Sequence, residues 1–265
     1  MKQITLEELL SAGCHFGHQI NRSNPKANAF IFESRSNVHI IDLEQTHKGL
    51  IEAAEFIKGV AASGGNLVVV GTKRQAKQVV EEQVARARAV TPDSIFYITS
   101  RWVGGILTNF PEVSKNFKKL ADLENLVNTE KSKEYTKREI ALFDREIAKL
   151  KNFYEGIRGM KKVPDALFII DTHFEKTAIN ELNRVGIKSA GIVDTNGDPS
   201  KVDFPIPAND DAVGSVELIT SYIIDAWIEG TKEAQKQELR IKNQEDKKKE
   251  KEEKAGEDKK TKKSV

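Results

Sequence analysis

The 265-residue chain has one cysteine, two tryptophans, two methionines and seven prolines, and aromatic residues make up 7% of it. The single thiol, Cys14, excludes an intrachain disulfide and any zinc site built from several cysteines, and it fits a reducing, intracellular setting. No apolar run approaches the roughly 18 residues of a membrane-crossing helix. Glu7 and Glu8 stand where a secretory signal would carry its apolar core. A soluble, cytoplasmic protein is expected. A strong net charge is also missing, because 42 Lys and Arg against 40 Asp and Glu leave only +2. The charge is unevenly spread: +2 over residues 1–107, +4 over 108–162, −8 over 163–230 and +4 over 231–265. Such a chain presents a basic face suited to a polyanion and an acidic one suited to solvent or a basic protein.

What is present is an alternation of short apolar runs with helical patterns. Thr5 and Glu8 form a capping box for a first short helix, with Gly13 near its end. A polar, irregular run from His15 to Asn37 follows, and then the strand pattern Val38 to Asp42. The continuous apolar run Leu67 to Val70 has the form of a parallel strand covered on both faces. Ile95 to Ile98, Ala166 to Asp171 and Ser189 to Asp194 are further strands. Helical patterns run from about Thr46 to Ala62, Arg74 to Val90, Lys176 to Val185 and Asp210 to Trp227. Strands separated by helical lengths predict an α/β fold with a parallel sheet and right-handed crossovers. The alternation is interrupted over 108–162. There Val113, Phe117, Leu120 and Val127 recur at helical spacing. Thr136 and Glu139 form a second capping box, and Ile140, Phe143, Ile147, Leu150, Tyr154 and Ile157 step by three and four residues as in a heptad seam. The expected organisation is a globular domain from 1–107 with 163–230, an inserted antiparallel helical hairpin of coiled-coil type at 108–162, and a charged tail at 231–265, disordered or at most a frayed extension of the last helix.

The chemical motifs fail on spacing. Gly71-Thr72-Lys73 sits between a strand and a helix, where nucleotide-binding folds place a phosphate loop, but the order Gly-x-x-x-x-Gly-Lys-Ser/Thr is absent. The helix start with Lys73 and Arg74 remains suited to a phosphate of a larger partner. Asp194-Thr195-Asn196-Gly197-Asp198 begins like a calcium loop, yet Pro199 and Pro205 occupy positions that require Gly and a bidentate Glu. A structural turn is expected instead, with Pro199, Pro205 and Pro207 stiffening the next loop and Asn209 capping the last helix. Cys14, His15 and His18 are close in sequence, but no fourth metal ligand is placed by spacing. No nucleophile or acid/base pair stands in a recognisable context.

The junction Ser100 to Phe110 joins a strand to the hairpin. Gly104 and Gly105 can take backbone angles closed to other residues. Arg101 and Trp102 offer a fork of donors and a flat apolar face, suited either to a phosphate and an unstacked base or to a buried anchor with a paired Arg.

In order along the chain, His15-Phe16-Gly17-His18, Asn24-Pro25-Lys26, His39 to Leu43, Val70 to Ala76, Arg101 to Phe110, Thr136 to Glu139, Pro164-Asp165-Ala166, Asp194-Thr195-Asn196 and Ile206 to Asp211 resemble the S-two family of bacterial small-subunit ribosomal proteins. The resemblance covers about Leu6 to Gly230. Ser23 stands where that family usually has Trp, Gly197 where Cys is common and Ala208 where Gly is common. The resemblance implies a flavodoxin-like sheet with a protruding hairpin, seated between head and body of the small ribosomal subunit. It implies a structural role: binding small-subunit rRNA and helping to recruit the large RNA-binding ribosomal protein S-one. No catalysis, cofactor, metal, membrane or small-molecule substrate is implied. Candidate rRNA contacts are Arg22, Lys26, Arg35, Lys73, Arg74, Arg101, Trp102, Lys115, Lys118, Lys119, Lys137, Arg138, Lys161 and Lys162. Two other classes are open to the residues alone. An enzyme of this fold would hold a ligand near Gly71, Asp171 or Asp194, and a protein-only scaffold would use the hairpin seam.

Overall fold

The structure is a computed structural model and describes residues 4–129 and 135–236. Its centre is a five-stranded, wholly parallel sheet of β4 (Leu67–Val70), β5 (Ile95–Ile98), β6 (Ala166–Ile170), β7 (Lys188–Val193) and β8 (Phe204–Pro207), in the order β5-β4-β6-β7-β8. Counted by occurrence, that is 2-1-3-4-5, the flavodoxin-like order. Both faces are covered, which is why β4 and β6 are buried at every position.

Alternation within the strands assigns the two cores. Leu67, Val69, Phe168, Ile170 and Ile192 point to one layer, built from α2 (Leu43–Ala62), α3 (Arg74–Arg88) and α7 (213–236), with Trp227 at its centre. Val68, Val70, Phe96, Leu167 and Ile169 point to the other, where α6 (Lys176–Val185) lies beside the bases of α4 (Phe110–Asn128) and α5 (Lys137–Tyr154).

The helical pair α4/α5 is anchored at one end. Val113, Phe117 and Leu120 of α4 are buried with Leu150 and Tyr154 from the end of α5, and the Asn116 amide donates to the Tyr154 hydroxyl at 3.2 Å. Further out, Ile140, Phe143 and Ile147 are only half-buried and Leu142 is exposed. The seam is therefore a graded one, dry near the sheet and wetter toward 135–140. Gly156 fits α5 to the domain, since a Cβ there would sit on the Tyr97 carbonyl oxygen. The capping boxes of Thr5 with Glu8 and Thr136 with Glu139 both form.

Four expectations need correction. The run from His15 to Asn37 is not irregular throughout: α1 (Leu6–Ser11) leads into β1 (Phe16–Gln19), which with β2 (Ile31–Arg35) and β3 (Val38–Ile41) makes a separate antiparallel sheet in the order β1-β3-β2. Its β2–β3 turn is Ser36-Asn37, both at positive φ. That geometry suits a two-residue hairpin, but Ser-Asn signals it weakly. Helix α2 starts at Leu43, three residues early, because the Asp42 carboxylate accepts the Glu44 N–H at 2.9 Å and caps it. Pro205 and Pro207 lie in β8, tolerated because β8 is an edge strand. The last helix begins at residue 213 rather than Asp210 and continues through 236, past the expected boundary at 231. The tail beyond 236 lies outside the described residues.

Candidate nucleic-acid interface and the ion cluster at the strand ends

At the carboxyl ends of neighbouring β4 and β6 the chain leaves toward opposite faces, into α3 and α6 respectively. In open α/β sheets ligand-binding crevices form at such switch points. Here the crevice is filled from within. Lys73, between β4 and α3, places Nζ 2.7 Å from Asp171 Oδ2 and 2.8 Å from both Asp210 Oδ1 and Asp211 Oδ1. Asp171 reaches it from a backbone φ of +67°, with its Oδ1 accepting the Phe174 N–H at 2.8 Å. Asn209 Oδ1 accepts the N–H groups of Asp211 and Ala212, at 2.9 and 3.2 Å, and holds the turn that presents the pair.

Burial lowers the affinity of Lys73 for its proton, but the three carboxylates outweigh it and hold the ammonium above its ordinary range. Asp210 is 1% exposed. Burial, then the charges of Asp171 and Asp194, push its carboxyl up to about 7 against the pull of Lys73. His18 Nδ1 lies 3.0 Å from Asp194 Oδ1 and its Nε2 lies 3.4 Å from Asp211 Oδ2. Asp194 is the main reason that the imidazole binds its proton more tightly than usual. Donor atoms of His18, Asp194 and Asp210 lie within 4.8 Å of one another, close enough for a small divalent cation. Cys14 is not part of this group. It is buried in the core, where desolvation raises its pKa.

The junction before α4 is organised by Glu181 of α6. Its Oε1 accepts Trp102 Nε1–H at 3.1 Å and Gly105 N–H at 2.8 Å, and its Oε2 accepts Leu107 N–H at 3.1 Å and Thr108 N–H at 3.3 Å. Gly105 takes φ +97°, a conformation open to glycine. Burial raises the Glu181 pKa, but these donors together bring it below the usual value.

These contacts remove two residues from the candidate RNA face. Trp102 is 5% exposed with its N–H committed, so it is an anchor in the hairpin-side core and not a stacking platform. Lys73 is committed to three carboxylates. The other candidates are exposed. Arg22, Arg35, Arg74, Arg101, Lys118, Lys137, Arg138 and Lys161 have no ion pair among the described residues. Lys26 pairs with Asp198, Lys115 with Glu112, Lys119 with Glu146 and Lys162 with Asp165. Arg22 shares a cavity wall with Lys176 and Lys201, two cations that sequence reasoning missed because neither sits in a basic run. Glu181 was missed as well, and Asp171 and Asp194, named only as flanking a ligand crevice, were not read as one group with Asp210. The chain positions of these residues are far apart, and only the sheet brings them together.

Fold and site define a flavodoxin-like α/β domain with a helical arm, whose crevice is closed by its own lysine and whose exposed cations are spread over several elements. Residues 9–230 match the family model described as "Ribosomal protein S2". The chain is 41% identical over 233 residues to the small ribosomal subunit protein uS2 of Bdellovibrio bacteriovorus, covering 88% of this chain and 72% of that protein. It is 42% identical over 231 residues to the uS2 protein of Fusobacterium nucleatum, covering 87% and 91%. The chain belongs to the ribosomal protein S2 family, whose members are structural, non-enzymatic components of the small subunit.

Proposed function

We propose that this chain binds small-subunit rRNA in the ribosome, lying between head and body of the subunit, and helps recruit ribosomal protein S-one. The observation that carries the RNA reading is the set of exposed, unpaired cations on separate elements: Arg74 at the start of α3, Arg101 at the junction, Lys118 on α4, and Lys137 and Arg138 at the start of α5. Cations without internal partners are free to replace counterions along a phosphate backbone. The α4/α5 pair, with its heptad-spaced seam, would act as a coiled-coil arm carrying part of that charge away from the sheet. No described helix is long and apolar enough to cross a membrane, and the cytoplasmic ribosome is the setting this function requires.

The test is co-sedimentation of the tagged full chain with small subunits after a high-salt wash, with and without nuclease. Retention that nuclease abolishes supports an rRNA-held component. Retention that survives complete rRNA digestion would favour a protein-only scaffold.

A further inference from the structure

We propose that the cavity between the Arg22–Pro25 turn and the loops after β6 and β7 receives one unstacked nucleotide of a single-stranded RNA segment. The inference rests on the rRNA reading and adds a specific site to it. The cavity measures about 510 Å³, within the roughly 300–1,000 Å³ of small-ligand sites. It opens at the carboxyl ends of β6 and β7, on the side where open α/β sheets bind ligands. It is separate from the Lys73 cluster, none of whose four charged groups lines it.

Three features of its wall select the ligand. Arg22, Lys176 and Lys201 come from three different segments, are all exposed, and have no carboxylate partner among the described residues, while Asp198, an acid in the same wall, is already paired with Lys26 at 2.7 Å. The wall therefore carries uncompensated positive charge suited to phosphates. Thr172 Oγ1 and Asn196 Oδ1 are buried without a hydrogen-bond partner, and a base edge supplies donors and acceptors for such atoms. Ile179 and Pro25 give an apolar surface. His173 in the wall and the adjacent Phe174, 62% exposed, offer aromatic faces of the kind on which single-stranded bases stack. A bare phosphate would use only the first of these features. The small Ser23 side chain, half-buried in the wall, leaves the space open.

The experiment uses the full chain and a fluorescein-labelled single-stranded RNA of mixed sequence, about ten nucleotides long, followed by anisotropy, with the four 5′-mononucleotides as competitors. Ser23→Trp fills the cavity, and Arg22→Gln/Lys176→Gln/Lys201→Gln removes its charge. Expected results are an unchanged melting temperature with RNA affinity lowered about tenfold or more by each variant. The triple variant should also lose about two units of salt slope, at roughly 0.7 per single-strand phosphate contact. Either variant, folded and binding RNA like the wild type, overturns the proposal. Should Ser23→Trp fail to fold, the triple variant, changed only at exposed positions, decides alone. Mononucleotides that bind as tightly as the RNA would overturn the RNA source in favour of a free nucleotide. Small-subunit entry of the wild-type chain is scored separately: its failure sinks the ribosomal reading, whereas entry combined with unaltered RNA affinity of the variants sinks only this site.

Discussion

Trp102 and Glu181 are 79 positions apart, and the indole N–H of the first donates to the carboxylate of the second at 3.1 Å. That one side chain also gathers the backbone N–H groups of Gly105, Leu107 and Thr108, so the loop from which the helical arm springs is fixed to α6. Removing the acceptor strands several partly buried donors at once. Glu181→Ala is expected to cost about 2–4 kcal/mol, and Glu181→Gln less, because one oxygen remains. The Glu181 pKa is below normal in the folded state, so its contribution is present above about 4.5 and is lost as pH falls through the lower folded value. Urea denaturation of wild type and Glu181→Ala at pH 7 and pH 3 checks this. An equal difference at both values would show that the carboxylate charge is not what holds the loop.

The graded burial of the arm sets unequal costs along it. Leu120 is fully buried, so Leu120→Ala should cost about 2–5 kcal/mol. Ile147 is only half-buried. Its truncation should cost less than half as much, below what a dry heptad seam along the whole arm would give. Equal losses in equilibrium denaturation would contradict a seam that is dry only near the sheet.

Gly156 provides a sharper packing test. An added methyl meets the Tyr97 carbonyl oxygen, a backbone atom of β5 that cannot swing aside. Gly156→Ala should therefore destabilise by roughly 3 kcal/mol, at the upper end of overpacking. Gly59→Ala, where nothing lies within 4 Å of the added methyl, is the control and should not destabilise, since alanine favours a helix interior. Thermal unfolding of the two variants side by side reads the difference.

The ion cluster predicts a pH dependence with a definite sign. Asp210 has an ordinary pKa of 3.8 and a folded value of about 7. The folded state therefore holds the proton more tightly, and stability from this group falls as pH rises from about 4 to about 7. His18, raised chiefly by Asp194, acts in the same direction: its contribution is present below 6.5 and is lost as pH rises through the folded value. Asp210→Asn cannot ionise. The stability of wild type relative to this variant should drop by on the order of 3 kcal/mol across the window. Parallel stability–pH curves would mean that Asp210 titrates normally.

Legibility in the sequence followed the physics of each element. Strands β4, β5, β6 and β7 were readable because strands covered on both faces must be continuously apolar, and Leu67 to Val70 is such a run. The β8 strand was hidden by Pro205 and Pro207, acceptable only because its outer edge needs no ladder partner. In the small antiparallel sheet β3 was readable from Val38 to Ile41, whereas β1 and β2 were hidden because they are short and have no buried position, with no Asn-Gly to mark the turn. The candidate site was legible as a set of charges but not as an arrangement. Lys73 and Arg74 are adjacent in sequence, yet one is held by three carboxylates and the other faces solvent. The acids that hold Lys73 come from positions 171, 210 and 211, and no local pattern announces them. Trp102 carried both of its readings in the sequence, and burial selected the anchor.

The central claim is that the exposed, unpaired cations on the domain and arm, rather than the charged tail, hold the chain to small-subunit rRNA. The most direct measurement is incorporation into small subunits, read by sedimentation after a high-salt wash, of two proteins. One carries Arg74→Gln, Arg101→Gln, Lys118→Gln, Lys137→Gln and Arg138→Gln; the other is truncated after residue 236. The account predicts that the first, although folded, is lost from the subunits, and that its RNA binding has a salt slope shallower by about one unit per contact removed. It predicts that the second is retained. Normal incorporation of the five-charge variant together with loss of the truncated chain would contradict it.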